Sequence, residues 1–181
     1  MPLPTSPAPL PLDADGLLPL SLFDSLASGP AYLVFAQLRD ARIDVTQWDR
    51  HAAQFFASSV QLTRPKRYGA APPVSDAAHV VVTRRNAAPV LRTVFVRART
   101  DDDLRAAERA QGGGGLALLA KRCKTVLLVP VADPVDADTL FLAALLASVL
   151  LGPILSPDRT GLFGARTARA ELDKLVQTAQ A

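Results

Sequence analysis

Cysteine and histidine are scarce in this chain, which has one cysteine, Cys123, and two histidines, His51 and His79, among its 181 residues. A single cysteine cannot form an internal disulfide, and these three residues do not have the number or spacing of a zinc site. The absence of a disulfide framework is typical of a reducing compartment. We therefore expect a cytoplasmic protein that has no metal site and no cofactor.

Cys123 lies among three cations, Lys121, Arg122 and Lys124. Positive charges lower the pKa of a nearby thiol and favour the nucleophilic thiolate. A catalytic cysteine also needs a base that orients it, and the sequence places none nearby. We therefore interpret Cys123 as a small residue that leads into a buried strand.

The chain also lacks the short motifs of common catalytic sites. It has no Gly-x-Ser-x-Gly elbow and no His-Glu-x-x-His pair, and its only glutamates are Glu108 and Glu171. Four glycines at residues 112–115 follow a predicted helix and precede Leu116, so they lack the strand and the Lys-Ser/Thr of a phosphate loop. We interpret them as the end of one helix and a hinge before the next. No catalytic residue is assigned, and an enzyme of unknown class stays an alternative.

Two acidic segments resemble metal-binding loops in composition only. Asp101, Asp102 and Asp103 follow Thr100, and three further aspartates lie within residues 133–138. A hard cation needs several oxygen ligands that converge from different directions, and neither segment supplies them. A threonine N-cap followed by acids is instead typical of a helix start, so we interpret both segments as helix caps.

A charge-free run at residues 139–155 raises the question of a membrane span. A span needs about 20 apolar residues, whereas this run contains Gly152-Pro153 and has acidic flanks. We predict a core helix over residues 139–151 that is buried nearly all round, and we do not expect membrane association. A membrane-associated run is the alternative.

The first 18 residues are rich in proline, which interrupts any apolar helix and excludes a signal peptide. We predict a partly disordered N-terminal arm at residues 1–18 and one α+β domain at residues 19–181. Apolar patterns predict several elements in that domain. They are a helix ending before Gly29, helices at residues 46–58 (N-cap Thr46), 139–151 and 165–177, a helix that starts after Thr100 and ends at the four glycines, and a short helix after the glycines with Lys121, Arg122 and Lys124 at its far end. The other elements are strands at residues 31–38, 79–85, 90–100 and 124–131, a long irregular connection at residues 63–77, and two short extended pieces around a turn at residues 157–161.

This order of elements predicts an α+β or α/β fold in which helices pack on a single sheet. The run at residues 124–131 is continuously apolar, as in a strand that is covered on both faces, and we expect it in the centre of the sheet. A ferredoxin-like split β-α-β core would accommodate the central elements.

Positive charge is concentrated in the middle of the sequence. Residues 1–60 have a net charge of −3, residues 61–124 a net charge of +8, and residues 125–181 a net charge of −2. Such a basic region is typical of a surface that binds an acidic protein or the phosphates of a nucleic acid. The candidate binding residues are Arg64, Lys66, Arg67, Tyr68, Arg84, Arg85, Arg92, Arg97, Arg99, Lys121, Arg122 and Lys124.

These observations together favour a small soluble intracellular protein with a binding or regulatory function that engages a protein partner. The alternative is a nucleic-acid-binding protein that uses residues 61–124, with Tyr68 stacking on bases. For an acidic protein partner, we expect the arginines to gather on one face beside apolar residues such as Phe95. For a nucleic acid, we expect a groove between residues 64–68 and the hairpin at residues 79–100. The sequence does not determine the oligomeric state.

Overall fold

Seven strands and six helices are formed by the residues that the computed structural model describes, which are residues 8–38, 42–131 and 137–178. In chain order they are α1 (Leu20–Leu26), β1 (Ala31–Ala36), α2 (Val45–Phe56), β2 (Ser59–Leu62), β3 (Asp76–Thr83), β4 (Val90–Ala98), α3 (Asp101–Arg109), α4 (Gly114–Arg122), β5 (Thr125–Pro130), α5 (Ala137–Leu150), β6 (Ile154–Leu155), β7 (Leu162–Phe163) and α6 (Ala165–Thr178).

The strands form one antiparallel sheet in the order β2-β3-β4-β5-β1-β6-β7, with helices packed on it. The α+β prediction is therefore confirmed. The apolar strand β5 lies fourth of seven, and residues Val126 to Val129 are buried. Its central position, predicted from the apolar run, is also confirmed.

A split β-α-β unit is present, but it is formed by β5, α5 and β6 and not by the elements in the middle of the sequence. Strands β5 and β6 each pair antiparallel with β1, so they are parallel to each other, and helix α5 connects them. The ferredoxin-like core does not form, because α2 leads from β1 to β2 at the far edge of the sheet, with β5, β4 and β3 between them. The sequence showed the order of the elements but not how far apart consecutive strands are placed.

Each face of the sheet has its own apolar core. Helices α2, α5 and α6 cover one face, where Trp48, Phe141 and Leu172 are buried. Helices α1, α3 and α4 cover the other face, where Phe23 packs edge-on against Phe95 with ring centroids 5.7 Å apart. We call these the α5 face and the α3 face. Successive residues of a strand point to opposite faces, so both cores draw side chains from the same strands.

Helix α5 has a buried residue at 11 of its 14 positions. It packs on β1 and β5 and is covered in turn by α2 and α6. The prediction of a core helix is therefore confirmed, with a start two residues earlier than expected. Gly152 follows the helix and lies so close to β1 that a Cβ there would overlap the carbonyl of Phe35.

None of the helices formed by residues 8–38, 42–131 and 137–178 is long and apolar enough to cross a membrane.

Local capping chemistry decides where two of the helices begin. Thr100 caps α3 as predicted: its hydroxyl accepts from the Asp103 amide at 3.2 Å, and the Asp103 carboxylate accepts from the Thr100 amide at 2.8 Å. The prediction of Thr46 as the N-cap of α2 is wrong. Asp44 has that role, because its carboxylate reaches the Gln47 amide at 3.2 Å and the helix begins one residue before Thr46.

The glycine run ends one helix and begins the next, as predicted. Helix α3 ends at Arg109 and α4 begins at Gly114. Between them, Gly112 has a φ of +81°, and a Cβ there would meet the carbonyl oxygen of Leu162 at 2.7 Å. Glycine is required at this position because the segment also lies against β7.

The predicted irregular connection at residues 63–77 is shorter than expected. Strand β2, which the sequence did not indicate, precedes it, and β3 begins at Asp76. β2 has only four residues, and its burial alternates because it is the edge strand. Such a short, partly polar strand depends on pairing with β3 and gives little periodic signal of its own.

The N-terminal arm contacts the domain on the α3 face from residue 10 onward. Leu10, Leu12 and Leu18 pack against that core, and the Leu10 amide donates to Nε2 of His79 at 2.8 Å. The first seven residues of the predicted arm lie outside the described residues. Of the predicted acidic caps, Asp138 lies in the first turn of α5, whereas Asp133 and Asp136 also lie outside the described residues.

Candidate binding groove

Two of the candidate binding residues are used inside the fold. The ammonium of Lys66 lies 2.9 Å from the carboxylate of Asp76, with both side chains almost fully buried, and it also donates to the Gly16 carbonyl. The Asp76 carboxylate accepts from the Tyr68 hydroxyl and the Leu18 amide, each at 3.1 Å. Burial lowers the pKa of Lys66 and raises that of Tyr68. This network joins the arm to the loop before β3 and ties down the hydroxyl end of the half-buried Tyr68 side chain.

Arg84 and Arg92 face the start of helix α5. The Nε of Arg84 donates to the Asp138 carboxylate, and the Nε of Arg92 donates to the hydroxyl of Thr139 at 3.1 Å. Asp138 lies in the first turn of α5, where a carboxylate also complements the helix dipole. These contacts fasten the β3–β4 hairpin to the α5 face.

Arg97 and Arg99 lie on the α3 face. The guanidinium of Arg97 holds Asp103 in a bidentate pair, with nitrogen–oxygen distances of 2.5 and 3.0 Å. Arg99 follows β4 and continues its ladder, because its amide donates to the Lys124 carbonyl at 2.8 Å. Neither arginine lies beside an exposed Phe95. That ring is buried under α1, so the expected surface of arginines around Phe95 does not exist.

The remaining candidates have exposed side chains and lie at two ends of the sheet. Arg85 lies in the hairpin turn before β4, and the basic residues at the end of α4 lie beside the last residue of β4. The two ends of this strand are roughly 27 Å apart at 3.4 Å per residue. Arg85 lies at one end of β4. The group towards the other end comprises Arg64 and Arg67 in the loop before β3 and Lys121, Arg122 and Lys124. The basic region of the sequence is thus not one basic surface.

A groove of about 620 Å³ lies on the α5 face, between the end of α2, the hairpin turn and α6. Its floor is formed by Phe141 of α5 and Phe56 of α2, whose rings meet edge-on with centroids 5.4 Å apart. Leu172 and Val176 of α6 form one wall. The groove therefore has an apolar base that several elements hold in place.

The end of α2 opens one side of the groove. The helix stops at Ala57, which has a left-handed φ of 48°, and the Ser58 hydroxyl donates to the Phe56 carbonyl at 2.9 Å. Phe55 lies in the same turn and is 45% exposed. The ring of His51, one turn earlier, stacks against Phe55 with centroids 4.5 Å apart, and burial lowers its pKa. The exposed Phe55 thus lies at the rim of the groove, in contact with the ring of His51.

Three arginines line the groove from different parts of the chain, namely Arg84, Arg85 and Arg169. The guanidinium carbon of Arg169 lies 5.1 Å from the centroid of the Phe56 ring, which is a cation–π geometry. Arg85 is exposed in the turn beside Asn86, whose φ of 60° lets the hairpin reverse. Arg84 is neutralised by Asp138, but neither Arg85 nor Arg169 has an ion-pair partner among the described residues.

One carboxylate, that of Asp173, also lines the groove. It lies one turn after Arg169 on α6, and no contact between the two joins them as an ion pair. The lining thus has two unpaired cations, one exposed anion and a phenylalanine pair. This arrangement can hold a chain that alternates negative and apolar side chains.

Cys123 is buried at the end of α4, where its thiol donates to the Leu119 carbonyl at 3.3 Å. Burial raises the pKa of this thiol and outweighs the nearby charge of Arg99. The interpretation of Cys123 as a small residue before a buried strand is therefore confirmed. The described parts of the chain contain no group of histidine, cysteine and acidic side chains arranged to hold a metal ion.

Sequence reasoning found Arg84 and Arg85 but missed Arg169, Phe55 and Phe56 as groove residues. The helical spacing of Trp48, Ala52, Phe55 and Phe56 predicts that these four side chains share one apolar stripe of α2. Trp48 and Ala52 are buried, whereas Phe55 is 45% exposed. Two adjacent phenylalanines point about 100° apart on a helix, which is about the width of an apolar stripe. The sequence alone therefore does not show that one of the two rings is exposed.

Comparison of the chain with protein-family models, with curated proteins and with solved structures found no match.

Proposed function

We propose that this protein is a binding module that docks an acidic, partly apolar segment of a partner protein in the groove between α2 and α6. The observation that supports it is the pair of unpaired arginines, Arg85 and Arg169, on opposite walls of a groove with an aromatic base. Carboxylates of the partner would pair with these guanidiniums, and its apolar side chains would cover Phe55 and Phe56.

The charge of the groove favours an acidic occupant. The three arginines and Asp173 leave a net positive lining, and Asp138 already neutralises Arg84. Arg85 and Arg169 therefore carry the attraction. Exposed arginines of this kind increase the association rate of an acidic chain and disfavour the binding of positively charged partners.

The apolar part of the groove supplies the rest of the affinity. Phe55 is exposed, whereas Trp48 of the same helix is buried and Phe56 is partly buried. Covering an exposed aromatic ring gains about 25 cal/mol per Å² of apolar surface removed from water. A purely acidic chain would not cover Phe55 and would not gain this free energy. We therefore propose a partner segment that combines acidic and apolar residues.

A nucleic acid fits this groove less well. Nonspecific affinity for a nucleic acid comes from neutralising many phosphates, and the groove offers only two unpaired arginines. The other exposed candidate binding residues, Arg64, Arg67, Lys121, Arg122 and Lys124, lie towards the far end of β4. Of the residues expected to line a nucleic-acid groove, Lys66 is already paired with Asp76, and the half-buried Tyr68 bonds the same carboxylate through its hydroxyl.

The test uses defined fluorescent peptides of about twelve residues and fluorescence anisotropy. One peptide combines glutamate with leucine and phenylalanine, a second replaces glutamate with lysine, a third replaces the apolar residues with serine, and labelled single-stranded DNA and RNA are titrated in parallel. We expect the first peptide to bind more tightly than all other probes. We expect Arg85→Glu and Arg169→Glu each to weaken it about tenfold, because each reversal replaces an ion pair with repulsion.

Arg166→Glu is the matched control, because Arg166 is an exposed arginine of α6 that does not line the groove. Equal losses for Arg166→Glu and Arg169→Glu would show that only net charge matters, and would contradict the proposal. Binding of DNA or RNA near physiological salt without binding of the acidic peptide would support the nucleic-acid alternative instead.

A further inference from the structure

A second group of arginines lies on the α3 face of the sheet, away from the groove. Arg97 and Arg99 are two residues apart in extended backbone at the end of β4, so their side chains leave the same face. Arg159 lies in the turn between β6 and β7. It is close enough to feel both the attraction of Asp103 and the repulsion of Arg97.

Buried nitrogens of these arginines lack acceptors. Nε and Nη1 of Arg99 and Nη1 of Arg159 are buried and have no hydrogen-bond partner among the described residues. No other described side chain has a buried nitrogen or oxygen in that condition. A buried polar atom without a partner is costly, and a charged one more so. These donors need acceptors that the described residues do not provide.

The one buried carboxylate nearby is already fully used. Asp103 receives both terminal nitrogens of Arg97 and the amide of Thr100. Its charge balances one guanidinium, whereas the group contains three. Arg99 and Arg159 therefore retain positive charge that no described carboxylate balances.

The turn that presents Arg159 is held firmly. Arg159 has a left-handed φ of 63°, which is unfavourable for a residue with a long side chain. The Asp158 carboxylate accepts from the Ser156 hydroxyl and from the amide and hydroxyl of Thr160. These bonds maintain the turn and aim the Arg159 side chain at α3.

We propose that Arg97, Arg99 and Arg159 form a binding site for a tetrahedral oxyanion of the phosphate class. Guanidinium groups bind phosphate oxygens with paired N–H donors, and three of them around one buried carboxylate retain the positive charge that such an anion needs. A chloride ion would satisfy the charge but not the several donor directions. A metal cation is excluded by the sign of the site.

The anion is either free inorganic phosphate or the phosphate group of a larger molecule. The part of the site that this chain supplies is the same in both cases. The partly exposed side chains of Arg97 and Arg159 leave one side open, on which the rest of a phosphate monoester would project. This site is independent of the groove, because the sheet separates the two faces.

The test is thermal unfolding and isothermal titration calorimetry of the full chain with inorganic phosphate, glycerol 3-phosphate and sodium chloride at matched ionic strength. At a phosphate concentration about ten times its Kd, we expect Tm to rise by about 3 °C relative to chloride. Tighter binding of glycerol 3-phosphate would assign the site to phosphate monoesters, and equal or weaker binding would assign it to the free anion. Equal Tm values in phosphate and chloride would overturn the proposal.

Arg159→Asn is the sharpest variant, because asparagine tolerates the left-handed conformation and keeps the turn while removing the cation. We expect its phosphate Kd to rise at least tenfold. Arg109→Gln, at an exposed arginine of α3 outside the group, is the control and should bind as the wild type does. Arg99→Met should unfold at an equal or higher Tm in chloride and lose the phosphate-dependent rise. Wild-type phosphate affinity in Arg159→Asn would refute the site even if all variants fold.

Discussion

The buried pair of Lys66 and Asp76 gives a prediction whose sign can be tested. In Asp76→Asn the side chain keeps its shape. Its amide oxygen can replace Oδ1 as the acceptor of the Leu18 amide, and its amide nitrogen, in the place of Oδ2, can donate to the Tyr68 hydroxyl, which turns to accept. The Lys66 ammonium loses the carboxylate at 2.9 Å and is left buried with only the more distant charge of Asp13. Breaking a buried pair in this way costs about 3–5 kcal/mol, which is a large fraction of the stability of a domain.

Removal of the lysine from the variant should restore stability. In Lys66→Met/Asp76→Asn both charges are gone, Met occupies the space of the lysine stem, and the asparagine amide can still bond the Leu18 amide and the Tyr68 hydroxyl. We therefore expect the double variant to be more stable than Asp76→Asn alone, with a coupling of at least about 2 kcal/mol. The free energy of unfolding is measured by urea denaturation of the wild type, both single variants and the double variant.

The result that refutes this reasoning is a double variant that is less stable than Asp76→Asn. Such a result would mean that Lys66 stabilises the fold without Asp76, through its bond to the Gly16 carbonyl. A cost below about 1 kcal/mol for Asp76→Asn would likewise show that the pair is solvated. In either case Lys66 would again be a candidate for binding a ligand.

Three further predictions concern single residues. Burial lowers the pKa of His79 from 6.5, so the folded state favours the neutral ring. The stability that this ring contributes is present above about pH 6.5 and decreases as the pH falls, so on acidification the Tm of His79→Gln should decrease less than that of the wild type. Native Cys123 should not react with a thiol reagent in an absorbance assay until the protein is unfolded, since its thiol is buried. Gly152→Ala should lose more than about 4 kcal/mol in urea denaturation, because its Cβ would overlap the Phe35 carbonyl, whereas Gly164→Ala has open space and should be nearly neutral.

Elements specified by neighbouring residues could be predicted from the sequence. Thr100 and Asp103 cap α3 with bonds that span three residues, so the motif alone identifies the helix start. The apolar run of β5 identifies a strand covered on both faces in the same way. Asp44 was missed as an N-cap because Asp44 and Thr46 are both good capping residues, and the choice depends on where the preceding chain directs the helix.

The groove could not be predicted, because it depends on contacts between distant segments. Phe56 and Arg169 are more than 100 residues apart in sequence, and they meet only because α5 supports both α2 and α6. The same limit applies to charge. The sequence shows that Arg97 and Lys66 are basic, but only the fold shows that Asp103 and Asp76 are already paired with them.

The pairing of charges explains why a basic region of sequence does not become a basic surface. Three of its cations, Lys66, Arg84 and Arg97, are each matched by an aspartate that comes from another element or loop. Positive charge without a matching aspartate lies in the groove on the α5 face, in the arginine group on the α3 face, in the loop before β3 and at the exposed end of α4. A ligand selected by net charge alone would bind the end of α4, where the cations are most exposed. A ligand selected by geometry would bind in the groove, where unpaired guanidiniums lie beside an apolar base, or at the arginine group of the α3 face. Selective recognition is therefore to be sought in the groove and in the arginine group.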